Sequence, residues 1–337
     1  MKKVSILDVV EKSGVSLVTV SRVLNNVGTV RESNRQKVLQ AIKDLDYRPN
    51  SAARSLARGS TGLIGLTLET LKDTVFDGIV HTVNQSLEES GYFLALSIFS
   101  RTEGDPDQKT NFLFQEDRVD GIIVLSLLDE ENYVMELKRK KIPFVIIDNH
   151  VANSRALTVN VDNYIGGLEA TKHLIELGHT RIAHVSGPDH FLSVRERKRG
   201  YEKALSDAGL SPLIVTHTES FGIRSGFDVA KAWMQSGIIP TAVFAGDDGL
   251  ALGVMEAFQS EGYKIPDDLS VIGYDDQVFA AEIHPRLTTI RQPMEQMGQH
   301  AVRLLLKLIQ GSKRNTSVVL QPELIVREST AICLKKD

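Results

Sequence analysis

Several apolar runs of this chain end in acid: Asp148 after FVII, Asp247 and Asp248 after VFAG, Asp275 and Asp276 after IGY. A carboxylate there can accept hydrogen bonds from ligand hydroxyls or cap the helix that follows. Capping is the reading for Asp248 and Asp276. Asp148, Asp247 and Asp275 come one residue earlier or lack a clear following helix, which makes them the candidates for ligand hydroxyls. The run Arg195-Glu196-Arg197-Lys198-Arg199 opens a predicted helix after GPDHFLS. A cation at a helix start opposes the macrodipole, so at least one of these arginines has another purpose unless the run is simply a solvated face. Near the N-terminus, SGVSLVTVSRVLNN carries Leu17, Val18 and Arg22. A guanidinium can donate two hydrogen bonds to guanine O6 and N7, worth about 1–3 kcal/mol of discrimination. Leu17 and Val18 can touch thymine methyls; the alternative is that Leu17 completes a core and Arg22 is a surface charge.

Chemistry of other kinds finds little support. No Walker lysine loop, GxGxxG, HExxH or GxSxG occurs, so neither a metal site nor a cofactor is expected and the chain does not read as an enzyme. His173, His179 and His184 lie close in sequence without metal-ligand spacing, and read as surface or strand-end histidines. Cys333 is the only cysteine, which excludes an intramolecular disulfide and fits a reducing compartment. Acidic residues interrupt the apolar part of MKKVSILDVVEKSG, and no apolar run approaches the roughly 20 residues needed to span a bilayer. A cytoplasmic protein without membrane partners is expected.

The elements that must position these residues fall into two classes. Net charge is −4, but residues up to Ser60 carry 11 Lys and Arg against 5 Asp and Glu, a balance of +6 that leaves −10 for the rest. A small basic head on an acidic body suits contact with a polyanion. On a helix, Val20, Val23 and Leu24 share one side of the opening stretch and Val18, Arg22 and Asn25 the other; a strand would put Arg22 with the apolar residues. Ile6, Val9 and Val10 predict a preceding helix ended by Gly14, with Ser16 capping the next. Val38, Leu39, Ile42 and Leu45 predict a third helix over 32–45. Two short helices joined by a tight turn make a helix-turn-helix, whose second helix enters the major groove. Tyr47-Arg48-Pro49-Asn50 stops the third helix, and SAARSLARG, from Ser51 to Gly59, is either a marginal short helix or a linker.

Beyond Ser60, nine apolar runs alternate with amphipathic stretches: GLIGLTL, YFLALSIF, VDGIIVLS, IPFVIIDN, LTVNVDN, RIAHVSG, TAVFAGDD, LSVIGYDD and LTTIRQP. Helices are predicted over 77–90, 164–177, 196–208 and 248–260. This alternation predicts two doubly wound parallel sheets, in which ligands sit beyond the carboxyl ends of the strands. The expected fold is an all-α helix-turn-helix head on an α/β body of two parallel-sheet lobes.

ILDVVEKSGVSLVTVSRVLNN, followed by YRPNSAARSLARGS and GLIGL, resembles the LacI/GalR family of bacterial transcription regulators over nearly the whole length of the chain. The resemblance implies a DNA-binding domain over 1–48, a hinge over 49–60, and a periplasmic-binding-protein-like effector and dimerisation domain over 61–337. Its first lobe spans about 61–160 and 290–321, its second about 161–289 and 322–337. It further implies that Ser16, Leu17, Val18, Ser21, Arg22 and Asn25 face DNA. Asn50, Ala53 and Leu56 would belong to a hinge helix formed on DNA, with Leu56 as the wedge in the minor groove. For the effector it implies Arg197 as the clamp, Asp275 as its acidic partner, Asp247 and Asp148 in the cleft, and Phe221 and Phe76 as aromatic contacts. Leu7 and Val10 depart from the family pattern, as does LETLKDTVFDGIV, where Glu69, Lys72 and Asp73 can reach the cleft or merely cover a loop.

The expected function is therefore sequence-specific repression of carbohydrate-utilisation genes, controlled by a sugar-type effector, with a purine as the other stacking ligand. The expected partners are a near-palindromic DNA operator and a second copy of the chain, since a C-terminal heptad helix that builds tetramers in some relatives is missing after Glu328. A phosphocarrier protein docking at the run from Met294 is kept as an alternative corepressor, although Glu295 replaces an aromatic contact of that type. A sugar-binding transport protein would have the same body, but the basic head and the lack of a secretory signal favour a regulator.

Overall fold

The structure, a computed structural model, describes residues 4–24, 28–47, 60–70, 74–98, 118–126, 130–148, 156–312 and 314–334. The chain divides into two units, Met1–Gly62 and Leu63–Asp337. The linker residues Ser51 to Gly59 lie outside the described residues, as do Asn25, Asn50, Ala53 and Leu56.

Among its described residues the first unit has three helices, α1 (Ile6–Ser13), α2 (Leu17–Leu24) and α3 (Glu32–Asp44). Ser5 and Asp8 form a reciprocal capping box on α1, with the Ser5 amide donating to Asp8 Oδ2 at 2.7 Å. Gly14 ends α1 at φ +65°, a left-handed conformation that costs glycine little. The Thr19 amide then donates to Ser16 Oγ at 3.3 Å, so the predicted cap is in place. Val9, Val20, Val23, Val38, Ala41 and Tyr47 form the buried core, with Ile6, Val10, Leu24, Ile42 and Leu45 packed around it. Packing of Val20 and Val23, the two buried valines of α2, overrides the β preference of its sequence. Leu39, expected in the stripe of α3, stays 46% exposed, because the face turned to the core carries Val38, Ala41, Ile42 and Leu45 and Leu39 lies to one side of it.

The second unit contains two six-stranded sheets. The first has strands β1 (Leu63–Leu68), β2 (Phe93–Ile98), β3 (Gly121–Leu125), β4 (Phe144–Ile147), β5 (Thr158–Val161) and β11 (Val318–Leu320), in the order β11-β5-β4-β3-β1-β2. The second has β6 (Ile182–Ser186), β7 (Ile214–His217), β8 (Ala242–Ala245), β9 (Ser270–Asp275), β10 (Thr288–Arg291) and β12 (Glu323–Ile325), in the order β12-β10-β9-β8-β6-β7. Every pairing is parallel except that of β12 with β10. The chain passes from the first sheet to the second after β5, returns after β10, and crosses again between Leu320 and Glu323. Central strands β3, β6 and β8 are buried along their whole length, which explains why they read as continuous apolar runs.

Helices cover the sheets: α4 (Asp77–Glu89), α5 (Glu130–Arg139), α6 (Asn163–Glu176), α7 (Leu192–Asp207), α8 (Ile223–Gln235), α9 (Asp248–Ser260) and α10 (Met294–Ile309). Through Met297, Ala301 and Leu305, α10 packs into the core of the first sheet, beside Ile64 and Leu66. Strand β7 was not predicted, since IVTH is a half-buried edge without alternation.

Of the three histidines, His179 and His184 are buried and His173 is half-buried. His184 lies mid-strand in β6, fully buried between Tyr201 and Phe244 at ring separations of 5.0 and 4.7 Å. Its Nδ1 is 2.8 Å from the Phe244 carbonyl, which can only accept, so Nδ1 carries the proton of a neutral ring. His179 Nε2 is 3.0 Å from Ser270 Oγ, and His173 Nε2 is 3.0 Å from Thr330 Oγ1, so both tie helix ends to later segments. Burial, partly offset by the bond to Phe244, pushes the His184 pKa down to about 3. The unfolded chain thus binds more protons than the folded one from about pH 6.5 downward, and stability falls as the pH falls. Going from pH 7 to pH 5, His184 alone is expected to cost about 2 kcal/mol. In urea unfolding, H184F, which keeps a stacked ring but cannot titrate, should lose less stability than the wild type by about that amount; an equal loss would contradict the assignment.

Candidate functional site

In the first unit, Ser16, Leu17, Val18 and Arg22 are exposed on one side of α2 and its N-terminal turn, and Ser21 is half-buried beside them. Leu17 is 45% and Val18 60% exposed, although both are large apolar residues. Leu17 therefore does not complete the core. A three-helix unit that buries Val20 and Val23 while leaving Leu17, Val18 and Arg22 outside presents a short face of mixed apolar and cationic character.

In the second unit, the carboxyl ends of strands from both sheets surround a cavity of about 160 Å³. All six residues expected at an effector site line it: Phe76, Asp148, Arg197, Phe221, Asp247 and Asp275. Arg197 is 6% exposed and holds a partner on each nitrogen. Its Nε donates to Asn163 Oδ1 at 2.9 Å and its Nη1 to the Gly246 carbonyl at 2.6 Å, while Nη2 lies 3.5 Å from Asp275 Oδ1. Its guanidinium also stacks 3.7 Å from the centre of the Tyr274 ring. Burial acts to lower its pKa, but Asp275, Tyr274, Asp148 and Asp247 outweigh that and hold it above the ordinary arginine value. The backbone of Arg197 approaches α6 so closely that a Cβ at Gly167 would overlap its carbonyl, so glycine at 167 sets how deep the arginine sits.

Helix α7 begins at Leu192, earlier than predicted, with Arg197 in its second turn. The macrodipole argument therefore does not account for Arg197; burial among carboxylates does. Arg195 donates to the Asp189 and His190 carbonyls and Arg199 pairs with Glu196 at the surface, so the basic run divides into one buried and two outer arginines.

The acid pairs also divide, differently from expectation. Asp247, not Asp248, caps α9: its Oδ1 accepts from the Leu250 amide at 2.5 Å while the residue still borders the cavity. Asp248 is fully buried, accepting from the Gln277 amide at 2.7 Å and from Thr289 Oγ1 at 2.5 Å. As the first helical residue it turns its side chain beneath Gly273, away from the helix end. Burial, reinforced by Asp275 and Asp247, raises its carboxyl pKa well above the ordinary range. Asp276 caps nothing either; it accepts from Arg291 Nε at 2.7 Å and Arg327 Nη2 at 2.6 Å. Asp275 accepts from Gln292 Nε2 at 2.6 Å, and Asp148 from Ser126 Oγ at 3.0 Å.

A family model described as bacterial regulatory proteins, lacI family, matches residues 5–50, and one described as a periplasmic binding protein-like domain matches 171–330. The HTH-type transcriptional regulator DegA of Bacillus subtilis is 32% identical over 98% of this chain and 98% of its own. The chain belongs to the lacI family of bacterial regulators. The HTH-type transcriptional repressor PurR of Vibrio campbellii is 36% identical over 96% of this chain and 98% of its own. A crystal structure of the Lac repressor dimer, bound to operator and the anti-inducer ONPF, superposes with a TM-score of 0.88 at 31% identity, covering 98% of this chain and 100% of that one. This lacI-family chain is accordingly a DNA-binding transcriptional regulator with a ligand-binding body, and its relatives are regulators and not enzymes.

Other residues of the lacI-family cleft escaped sequence reasoning. Ser126 and Gln292 follow β3 and β10 at the same strand-end position as the acids, but an uncharged serine or glutamine there carries no comparable signal in the sequence. Asn163 is reached only through Arg197. Phe191 borders the cavity beside Phe221, with ring centres 5.5 Å apart. Glu69 borders the cavity as well; Lys72 and Asp73 lie outside the described residues. The Phe221 ring rests on Gly187, where a Cβ would fall within 2.8 Å of Cζ. G187A is expected to push this ring toward the cavity and to destabilise the chain by about 1–3 kcal/mol in chemical unfolding, the usual cost of overpacking. An unchanged midpoint would show that the ring has room to move elsewhere.

Proposed function

We propose that this chain is a repressor of carbohydrate-utilisation genes whose effector is an uncharged, polyhydroxylated ring bound in the cleft. The observation that carries the reading is the charge of the cavity wall. Glu69, Asp148, Asp247 and Asp275 are four acids around Arg197, the one base among the described lining residues. Carboxylates only accept hydrogen bonds, and Arg197 already donates to protein groups, so the wall calls for a ligand rich in donors. Sugar hydroxyls supply them, and the rings of Phe221 and Phe191 suit the apolar face of a pyranose or furanose. A phosphorylated sugar or a nucleotide would bring two or more negative charges against this surplus. A neutral purine would stack equally well but has fewer donors, and is the second reading.

LacI-family regulators bind operator DNA and small effectors as dimers. In this reading, two copies of α2 enter successive major grooves of a near-palindromic operator, with Arg22 reading guanine and Leu17 and Val18 against thymine methyls. The hinge assigned to residues 49–60 belongs to the same reading and, apart from Ser60, lies outside the described residues. Ligand in the cleft biases a pre-existing equilibrium between lobe arrangements, and operator affinity changes by the ligand's differential affinity for them.

In a thermal-shift screen, at least one neutral mono- or disaccharide should raise the melting temperature, and its phosphate ester should not. A ligand at one hundred times its Kd stabilises by about 2.7 kcal/mol. D148N keeps a residue type that tolerates the positive φ found there, 53°. It should weaken that sugar about tenfold, the loss of one hydrogen bond to a charged acceptor. Preferential binding of the phosphate ester or of nucleobases would overturn the proposal. On the other unit, R22A should relax base preference at one operator position; equal loss on every sequence would make Arg22 a phosphate contact instead.

A further inference from the structure

The residues that end β9 reach in different directions. Asp275 faces the cavity, toward Arg197 and Gln292. Asp276 points away from it and does not line it. Its side chain is 9% exposed and is shared between Arg291 and Arg327. Arg291 is the last residue of β10, where the chain leaves the second sheet for α10, which packs against the first. Arg327 lies just beyond β12, after the chain has come back from β11. Arg291 also lies 3.5 Å from Glu323, the first residue of β12. Through Arg291, which pairs with Glu323 across the antiparallel β10–β12 ladder, one carboxylate thus grips the point where two of the three crossings meet, and through Arg327 it also holds the far end of β12.

The geometry between the two acids is unusual. Asp275 has φ 109° and Asp276 φ 56°, both in a region that non-glycine residues seldom occupy. Consecutive residues of this kind persist only where surrounding contacts hold them. Here the contacts are those of the two carboxylates, together with the Gln277 amide fixed by buried Asp248. On the facing segment, Arg291 bonds Asp276 and the adjacent Gln292 bonds Asp275. The cleft contact and the crossing contact are therefore made by neighbouring residues on both sides, and a shift in one is carried through a single peptide to the other.

We propose that Asp276 is the positioning residue that passes occupancy of the cleft to the lobe crossings. A ligand that engages Asp275 alters its bonds to Gln292 and Arg197, and the grip of Asp276 on Arg291 and Arg327 turns that change into a new angle between the sheets. The inference rests on the reading of the cleft as the effector site, and Asp276 acts through Asp275 without touching the effector.

The test uses the full chain and an operator selected from random DNA by the wild type, with folding of each variant checked by circular dichroism. D276N removes the charge and keeps a side chain that tolerates positive φ. Without any ligand, D275N should change operator affinity about tenfold in the wild-type background and less than twofold in the D276N background. The same change in both backgrounds, or none in either, overturns the relay. In a second arm, D-glucose, D-galactose, D-ribose and cellobiose are titrated by calorimetry. A sugar that binds the wild type should bind D276N within threefold, while its effect on operator affinity falls at least fivefold. A full operator response in D276N overturns the relay, and so does loss of sugar binding, because Asp276 would then belong to the cleft. If none of the four binds the wild type, the ligand-free cycle alone decides the relay, and the sugar reading is decided by the thermal-shift screen.

Discussion

A permanent cation in a place closed to water is the constraint around which the second unit is arranged. Arginine cannot shed its charge, so a guanidinium that is 6% exposed must find both counter-charge and acceptors within the protein. Arg197 finds them on three separate segments: Asn163 beginning α6, Gly246 after β8, and Asp275 ending β9. Removing one partner from such a buried set typically costs about 3–5 kcal/mol, because the charge left behind is uncompensated. The strand ends are thereby held in one arrangement before any ligand arrives, and the electrostatic character of the cavity follows from the need to balance one arginine with several acids.

The same logic explains why the acid pairs do not behave alike. At Asp247-Asp248, the backbone enters a helix, so one side chain caps it and borders the cavity while the next turns under the sheet. At Asp275-Asp276, no α-helix follows, and two consecutive left-handed φ angles turn the side chains to opposite sides. Adjacent identical residues are thus assigned opposite surroundings by backbone conformation, which sequence spacing does not encode.

Much of the architecture was legible in the sequence. The valines of α2 sort correctly only on a helix, Gly14 and Ser16 mark the turn, and nine apolar runs coincide with nine of the twelve strands. The strand-end position located the acids of the cleft, and the family pattern added Arg197, Phe221 and Phe76. What could not be read depends on tertiary packing. The edge strand β7 lacks periodicity; Leu39 lies beside, not on, the core face of α3; the start of α7 precedes the arginine run; and His184 is neutral because it is buried between two aromatic rings. The cap of α9 fell to Asp247, which also keeps its place at the cavity, and Asp248 went under the sheet for the same reason, since which of two adjacent residues is the cap depends on a single turn of backbone.

The short strands β11 and β12 have a consequence for synthesis. They lie three residues apart and supply one edge to each sheet, with Ser329 and Ala331 then bonded to Val271 and Ser270. A nascent chain that has just reached Ile309 already contains every described residue bordering the cavity, yet both sheets are still open on one side. The three-helix unit, whose described core ends at Tyr47, is by then long complete. Because domains form in the order they leave the ribosome, the helical unit that matches the lacI-family model is finished well before the ligand-binding body, and one stretch of about a dozen residues closes both lobes at nearly the same moment.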